Sequence, residues 1–234
     1  MTLASSTDIH GTRWPPIAAD DPAGSATPLP ALAGYHIVTD ATELPAIAAG
    51  HLYNYLLAGN GLFLQAERRD LAVLMRIAPA RVRGLPPLSS RLRLRVPRVP
   101  VDLVHEMVRA ASAAARAPGG GLEALAYLRF SDGAWRLARP PQVQAPGSVR
   151  LAPDVARAPF LEALIDVHSH PFPLRAFSAT DDESDRGAFR FAVLIADPAG
   201  APSLHTRLCV YGSFLEVPPS LLFELPEELG GTAA

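Results

Sequence analysis

The stretch His168-Ser-His-Pro-Phe-Pro-Leu-Arg-Ala-Phe-Ser178-Ala-Thr-Asp181 places two imidazoles, a hydroxyl and a carboxylate in one short segment. The apolar run Phe160-Leu-Glu-Ala-Leu-Ile-Asp-Val167 leads into it and predicts a strand that ends in His-x-His. Side chains two apart on a strand share a face, so both imidazoles can reach one ion. Asp181, beyond a loop carrying Pro171 and Pro173, can add a third ligand from the start of a following helix. Three protein ligands leave a fourth position open, which separates a catalytic zinc from a structural one, because water held there reaches a pKa of ~7. The competing reading is a polar strand end followed by a solvated acidic turn, Asp181-Asp182-Glu183-Ser184-Asp185. The serine and aspartate at these offsets, with an apolar strand feeding in, favour the metal site. Asp182 is the rival to Asp181 as third ligand.

The pattern His-Ser-His-Pro, six residues, Ser-x-x-Asp resembles the signature of the JAMM metalloproteases, also called the MPN-plus or JAB1/Mov34 domain family, at every defining position. The resemblance implies an α+β fold with a curved mixed sheet flanked by helices, like that of the cytidine deaminases. It also implies one zinc ion per chain, held by His168, His170 and Asp181. The implied activity is hydrolysis of an isopeptide or peptide bond after the C-terminal tail of ubiquitin or of ubiquitin-like and sulfur-carrier proteins. A glutamate on an early strand would be the general base.

Glu123 fits that role. Pro100 to Ala117 reads as an amphipathic helix: proline opens it, Asp102 and Glu106 suit its positive end, and Val101, Val104, Val108, Ala111 and Ala115 recur at helical spacing. Pro118-Gly-Gly-Gly121 stops it. Leu122-Glu-Ala-Leu-Ala-Tyr-Leu-Arg-Phe130 then reads as a strand, turning at Ser131-Asp132-Gly133 into Ala134-Trp-Arg-Leu137. Glu162 is the fallback base, worse placed because six residues along an extended chain separate it from His168 by ~20 Å.

In this scheme Glu123 takes a proton from the attacking water and passes it to the leaving amine, a contribution of typically 10²–10⁴ in rate. Ser178 donates its hydroxyl to the oxyanion, where a lost donor typically costs 10²–10³. A serine nucleophile is the alternative, with His205 or His105 as its base. Ser169 points away from the ion. Asp166 is a candidate for supporting His168, since metal-bound imidazoles usually donate their other N–H to an acceptor. Asp182 and Asp185 read as charges at a helix N-terminus.

With 234 residues, about half hydrophobic, the chain can build one average domain and something smaller. No apolar run approaches the ~20 residues of a membrane span, and the N-terminus lacks the basic start and apolar core of a secretory signal. The single cysteine, Cys209, rules out an internal disulfide, fits a reducing cytoplasm and reads as a buried strand residue. All basic residues are arginine. A net charge of −2 argues against general nucleic-acid binding, yet Arg81, Arg83, Arg91, Arg93, Arg95 and Arg98 cluster without an acid between them. In Arg91-Leu-Arg-Leu-Arg95 the arginines share one strand face, read as solvated surface before a protein-binding ledge, and as a nucleic-acid contact last.

Residues 1–33, rich in proline, alanine and serine, read as a flexible tail, with a second short tail over 229–234. Residues 34–96 form a strand-dominated module: Tyr35 to Val38, a short helix around Leu44 to His51, then strands at Tyr53 to Leu57, Gly61 to Glu67 and Leu71 to Ile77. Residues 97–228 form the metal-bearing domain, with later strands at Arg190 to Ile195 and Leu204 to Tyr211. From Tyr35 onward the chain also resembles the protein A family of a bacterial cassette named for its ParB-related and ThiF-related members. Tyr53-Asn-Tyr55, Gly59-Asn-Gly61, Arg83-Gly-Leu-Pro86, Glu123 to Arg129 and Phe177-Ser-Ala-Thr-Asp-Asp182 carry that resemblance. It implies a ThiF-like (E1-like) activating enzyme and a small ubiquitin-like protein as partners; the lack of a long apolar run separately speaks against a membrane partner. Pro171-Phe-Pro173 departs from the pattern and could reshape the groove beside the metal. Two other classes remain: a catalytically silent binding module of the same fold, and a zinc hydrolase of another amide substrate. The intact ligand set argues against the first. The second would need a barrel longer than the chain after His168 can build.

Overall fold

The computed structural model describes residues 32–230, except 119, 157 and 173. The tail expected over 1–33 therefore lies almost entirely outside the described residues, as do Pro173 and most of 229–234.

Alternating apolar and polar residues build the first sheet. Strands β1 (Ala33–Ile37), β2 (Tyr53–Ala58), β3 (Gly61–Arg68), β4 (Leu71–Pro79) and β5 (Arg91–Leu94) are neighbours in that order, with β1 parallel to β2 and the others antiparallel. The helix expected around Leu44 to His51 is absent. Pro45 and Gly50, the latter at φ +87°, leave too few residues between them for a helical nucleus, and the Ala46 carbonyl accepts from Asn54 Nδ2 instead. In β5, Arg91 and Arg93 are exposed as the alternation predicts, while Arg95 just beyond it pairs with Glu67 at 2.5 Å.

Helix α1 (Val101–Ala115) follows, with Pro100 as its N-cap residue, Asp102 in its first turn, and Val104, Met107 and Ala111 buried. The chain continues through β6 (Leu125–Ser131), β7 (Ala134–Ala138), β8 (Gln142–Ala145), β9 (Ser148–Leu151), α2 (Ala158–Leu161), β10 (Ile165–His170), α3 (Ala179–Asp185), β11 (Phe189–Ala196), β12 (Ser203–Val210) and β13 (Ser213–Val217). The β6–β7 turn takes Asp132 and Gly133 through positive φ, as a two-residue hairpin requires.

Six of these strands form the second sheet, in the order β13-β12-β11-β10-β6-β7; β10 and β11 are parallel and every other pair is antiparallel. With its helices the chain is an α+β protein built on mixed sheets. Two expected boundaries move. Phe160 and Leu161 end a short helix rather than lie in a strand, so β10 begins at Ile165. Strand β6 begins at Leu125, two residues after Glu123.

The second sheet has two distinct faces. Ile165 and Val167, Phe191, Val193 and Ile195, and Leu204, Leu208 and Val210 point into a core shared with Val104, Met107 and Ala111 of α1 and with Leu64, Ala66, Val73 and Met75 of the first sheet. Period-two alternation therefore turns Asp166, His168 and His170, Arg190, and Arg207 to the opposite face. That face carries the site.

Candidate metal centre

Strand β10 delivers both histidines to one face, and α3 brings the carboxylate. Among the described residues, His168, His170 and Asp181 each offer a ligand atom, and these lie within 4.8 Å of one another. Asp181 Oδ1 is 3.3 Å from His168 Nε2, and Oδ2 is 3.6 Å from His170 Nε2. His168 Nε2 is buried and makes no directed hydrogen bond despite that closeness. A buried nitrogen without a partner is costly unless something else takes its lone pair. Two imidazoles and one carboxylate are a donor set that suits zinc with an open position, so these residues fit the ion.

Glu123 joins them from the segment that leads into β6. His168 pairs with Leu125, and the same antiparallel register, continued past the strand end, sets Glu123 opposite His170. Ser169 fixes this arrangement: its N–H donates to the Ala124 carbonyl at 3.0 Å, and its Oγ accepts from the Ala124 N–H at 2.9 Å. It thus faces away from the donors, as its position between the histidines predicts. Gln142 grips the N–H and carbonyl of Leu125 at 2.8 and 3.1 Å, and Gln144 holds the Glu123 carbonyl at 2.5 Å. Glu123 is only 6% exposed. Burial raises its pKa, partly opposed by the two histidines.

Asp181 is held by its own helix. Ser178 is the N-cap residue and forms a reciprocal capping box: its N–H and Oγ donate to Asp181 Oδ2 at 2.6 and 2.8 Å, and its Oγ accepts from the Asp181 N–H. Burial would raise the Asp181 pKa, but the neighbouring imidazoles and the Ser178 N–H hold it far below the usual carboxylate range. His170 is lifted despite its burial, chiefly by Asp181. Its Nδ1 lies 3.4 Å from the Leu174 carbonyl, which orients the ring so that Nε2 faces Asp181.

The other expectations sort clearly. Asp182 is turned to Arg207 rather than to the histidines. Asp166 pairs with Arg190 at 2.6 Å, so it supports a guanidinium and not His168. Asp185 sits at the C-terminal end of α3, buried, with Arg207 Nη2 at 3.0 Å and Arg190 Nη2 at 3.5 Å; it is no N-terminal charge. Glu162 is exposed just after α2. His105 pairs with Glu228, and His205 Nε2 contacts Ser203 Oγ, so neither is bonded to Ser178. Cys209 is buried, and burial pushes its thiol up.

Arg207 and Arg190 are what a reading of motifs missed. Arg207 lies between the rings of Phe177 and Phe214, its Cζ 4.0 and 4.2 Å from their centroids, and Phe177 meets His168 edge-on at 5.8 Å. Five charged groups, Asp166, Asp182, Asp185, Arg190 and Arg207, thus tie α3 to β10, β11 and β12 beside the donors. A signal did exist: an arginine inside each of the apolar runs Phe189 to Ala196 and Leu204 to Val210.

His168, His170, Asp181, Glu123 and Ser178 all line one cavity of about 330 Å³. One wall is apolar, with Tyr127 and Phe160 5.0 Å apart. Gly147 to Leu151 line it in unbroken succession. A strand face presents every second residue, so the edge of β9 borders the cavity.

Residues 100–208 match the family model described as prokaryotic homologs of the JAB domain. A solved structure described as "JAMM: A Metalloprotease-like Zinc Site in the Proteasome and Signalosome" is similar at 18% identity and a TM-score of 0.35, over 56% of this chain and 99% of that one. No curated protein matches the sequence. Among the described residues no helix is long and apolar enough to cross a membrane.

Proposed function

We propose that the chain is a zinc-dependent peptidase or isopeptidase that hydrolyses the bond after the C-terminal tail of a ubiquitin-like or sulfur-carrier-like protein. The observation that carries this reading is the placement of a buried glutamate, Glu123, opposite His170 and in one cavity with a His-His-Asp donor set. A merely structural metal site would need no such base.

His168, His170 and Asp181 would hold one zinc per chain. Bound there, zinc supplies Lewis acidity sufficient to bring a water's pKa to ~7. Glu123, whose burial raises its affinity for a proton, accepts one from the attacking water and returns it to the departing amine. The apolar wall of Tyr127 and Phe160 keeps bulk water from the scissile bond. An extended tail lies along the open edge of β9, which offers main-chain pairing without demanding a particular side chain. Ser178 is the oxyanion donor in this reading. Its hydroxyl lines the same cavity and donates to Asp181 Oδ2 at 2.8 Å, and it would serve the oxyanion by turning from that carboxylate toward the substrate.

The resemblance of the whole chain to the cassette's protein A extends the proposal to partners: a small ubiquitin-like substrate, a ThiF-like enzyme that activates it, and a shared cytoplasmic location. Incubating the zinc-loaded protein with a linear fusion of that small protein to a C-terminal extension tests the reading. Release of the extension by the wild type, and its absence in Glu123→Gln and after chelation, is the expected result. Equal release by Glu123→Gln would remove Glu123 from the mechanism. No release by the wild type would leave a zinc-binding module that does not cleave.

A further inference from the structure

The cavity at the metal centre does not stand alone. A second cavity of about 580 Å³ lies at the seam between the two sheets, bounded by Arg68 of β3, by Phe189 of β11 and by Tyr211 of the β12–β13 turn. The two cavities have Leu161, Ser184 and Arg190 in common. We propose that they form one continuous groove, and that the seam binds the part of an extended peptide that lies several residues from the scissile bond. This rests on the peptidase reading and assigns the five-stranded sheet a share in substrate recognition.

Four observations support it. Arg190 lines both cavities, and its Nε–H is buried without an acceptor among the described residues. Asp166 and Asp185 both lie at its Nη2, at 2.6 and 3.5 Å, so the charge of the guanidinium is already matched and a neutral acceptor such as a peptide carbonyl suits it better than a further anion. Leu161 is 70% exposed at the junction, an apolar side chain left open where a chain would cross. The seam itself is firmly built: Arg68 donates to the carbonyls of Glu162 and Phe189 at 2.8 and 2.9 Å, and Tyr211 stacks on Tyr53 of β2 at 5.0 Å.

Register sets the length. His168 pairs with Leu194, and Phe189 opens β11 five residues earlier, so the seam begins about 17 Å from the donors at ~3.3 Å per residue. A peptide must therefore extend about five residues on one side of the bond to reach it.

Gly187 provides the probe. It lines the seam cavity only, its φ is ordinary, and a Cβ built there meets nothing within 4 Å, so Gly187→Trp adds bulk to the groove without backbone strain. Fluorescein-labelled mixed-sequence peptide pools of four and of ten residues are titrated onto the zinc-loaded Glu123→Gln chain and followed by anisotropy. The ten-residue pool should bind about tenfold or more tightly than the four-residue pool, the effect of burying one apolar side chain. That ratio should collapse toward one when Gly187→Trp is added, and also with Leu161→Asp, an exposed position whose change leaves the core intact. No length step, or a step that survives Gly187→Trp in a chain with an unaltered melting temperature, overturns the inference. Wild-type cleavage of the linear fusion reports on the peptidase reading separately. Cleavage without a length step defeats the groove alone, and a length step without cleavage defeats the peptidase alone.

Discussion

Replacing Arg207 by methionine probes what holds the third donor in place. Arg207 is 4% exposed and reaches two carboxylates one turn apart on α3. The two arms are unequal. The Asp182 side chain is 47% exposed, so that arm contributes ~0–1 kcal/mol. Asp185 is 5% exposed, and removing one partner of a buried pair typically costs ~3–5 kcal/mol. Arg190 remains 3.5 Å from Asp185, and methionine refills the space between Phe177 and Phe214, which places the expected loss at the lower end, ~3 kcal/mol. Urea unfolding of the zinc-free chain measures it. The seven-residue α3 then loses its anchor, and zinc affinity, read by chelator competition, should fall by the ~10–100-fold typical of lost outer support. Adding Asp185→Asn to Arg207→Met should recover part of the stability, because the stranded charge is gone. A loss below ~1 kcal/mol with zinc affinity unchanged would refute the argument that this network positions Asp181.

Three further outcomes follow from the geometry. Ser169→Ala strands the half-buried Ala124 N–H and should cost about 1 kcal/mol in urea unfolding, with cleavage reduced because Glu123 loses its fixed position. In the zinc-free chain Glu123 has a raised pKa, so the folded state binds its proton more tightly than the unfolded state does. The burden of ionising it is absent below the unfolded value of 4.5 and complete above the folded value. Glu123→Gln should therefore raise the melting temperature of the zinc-free protein at pH 7, and that gain should vanish as the pH falls toward 4. Asp181 has the opposite sign: its depressed pKa contributes stability above about pH 3.8, lost as the pH falls through the folded value. Asp181→Asn should thus destabilise the zinc-free chain at neutral pH and let the His170 resonance titrate at lower pH by NMR.

Much of the site was legible because its residues sit close in sequence and obey a period of two. His168 and His170 share a face for that reason alone, and Ser178 and Asp181 form a capping box that any S-x-x-D before a helix can offer. The helix at Val101–Ala115 and the turn at Asp132-Gly133 were equally local. What escaped was long-range. Nothing near Arg207 announces Asp182 and Asp185, because the contact depends on how α3 folds back across the sheet. Arg68 reaches the carbonyl of Phe189 across the seam, a contact with no local signature. The helix expected near Leu44 failed on a propensity weaker than its own proline and glycine. Phe160 read as strand because apolarity alone does not distinguish a strand from one turn of helix.

The most direct test of the central claim is the metal content of three purified proteins, measured by inductively coupled plasma mass spectrometry after zinc loading and desalting. One zinc per chain is expected in the wild type, one in Glu123→Gln, which removes the base but no ligand, and none in Asp181→Ala. A wild type without zinc, or an Asp181→Ala protein that retains it in full, would contradict the metal centre described here.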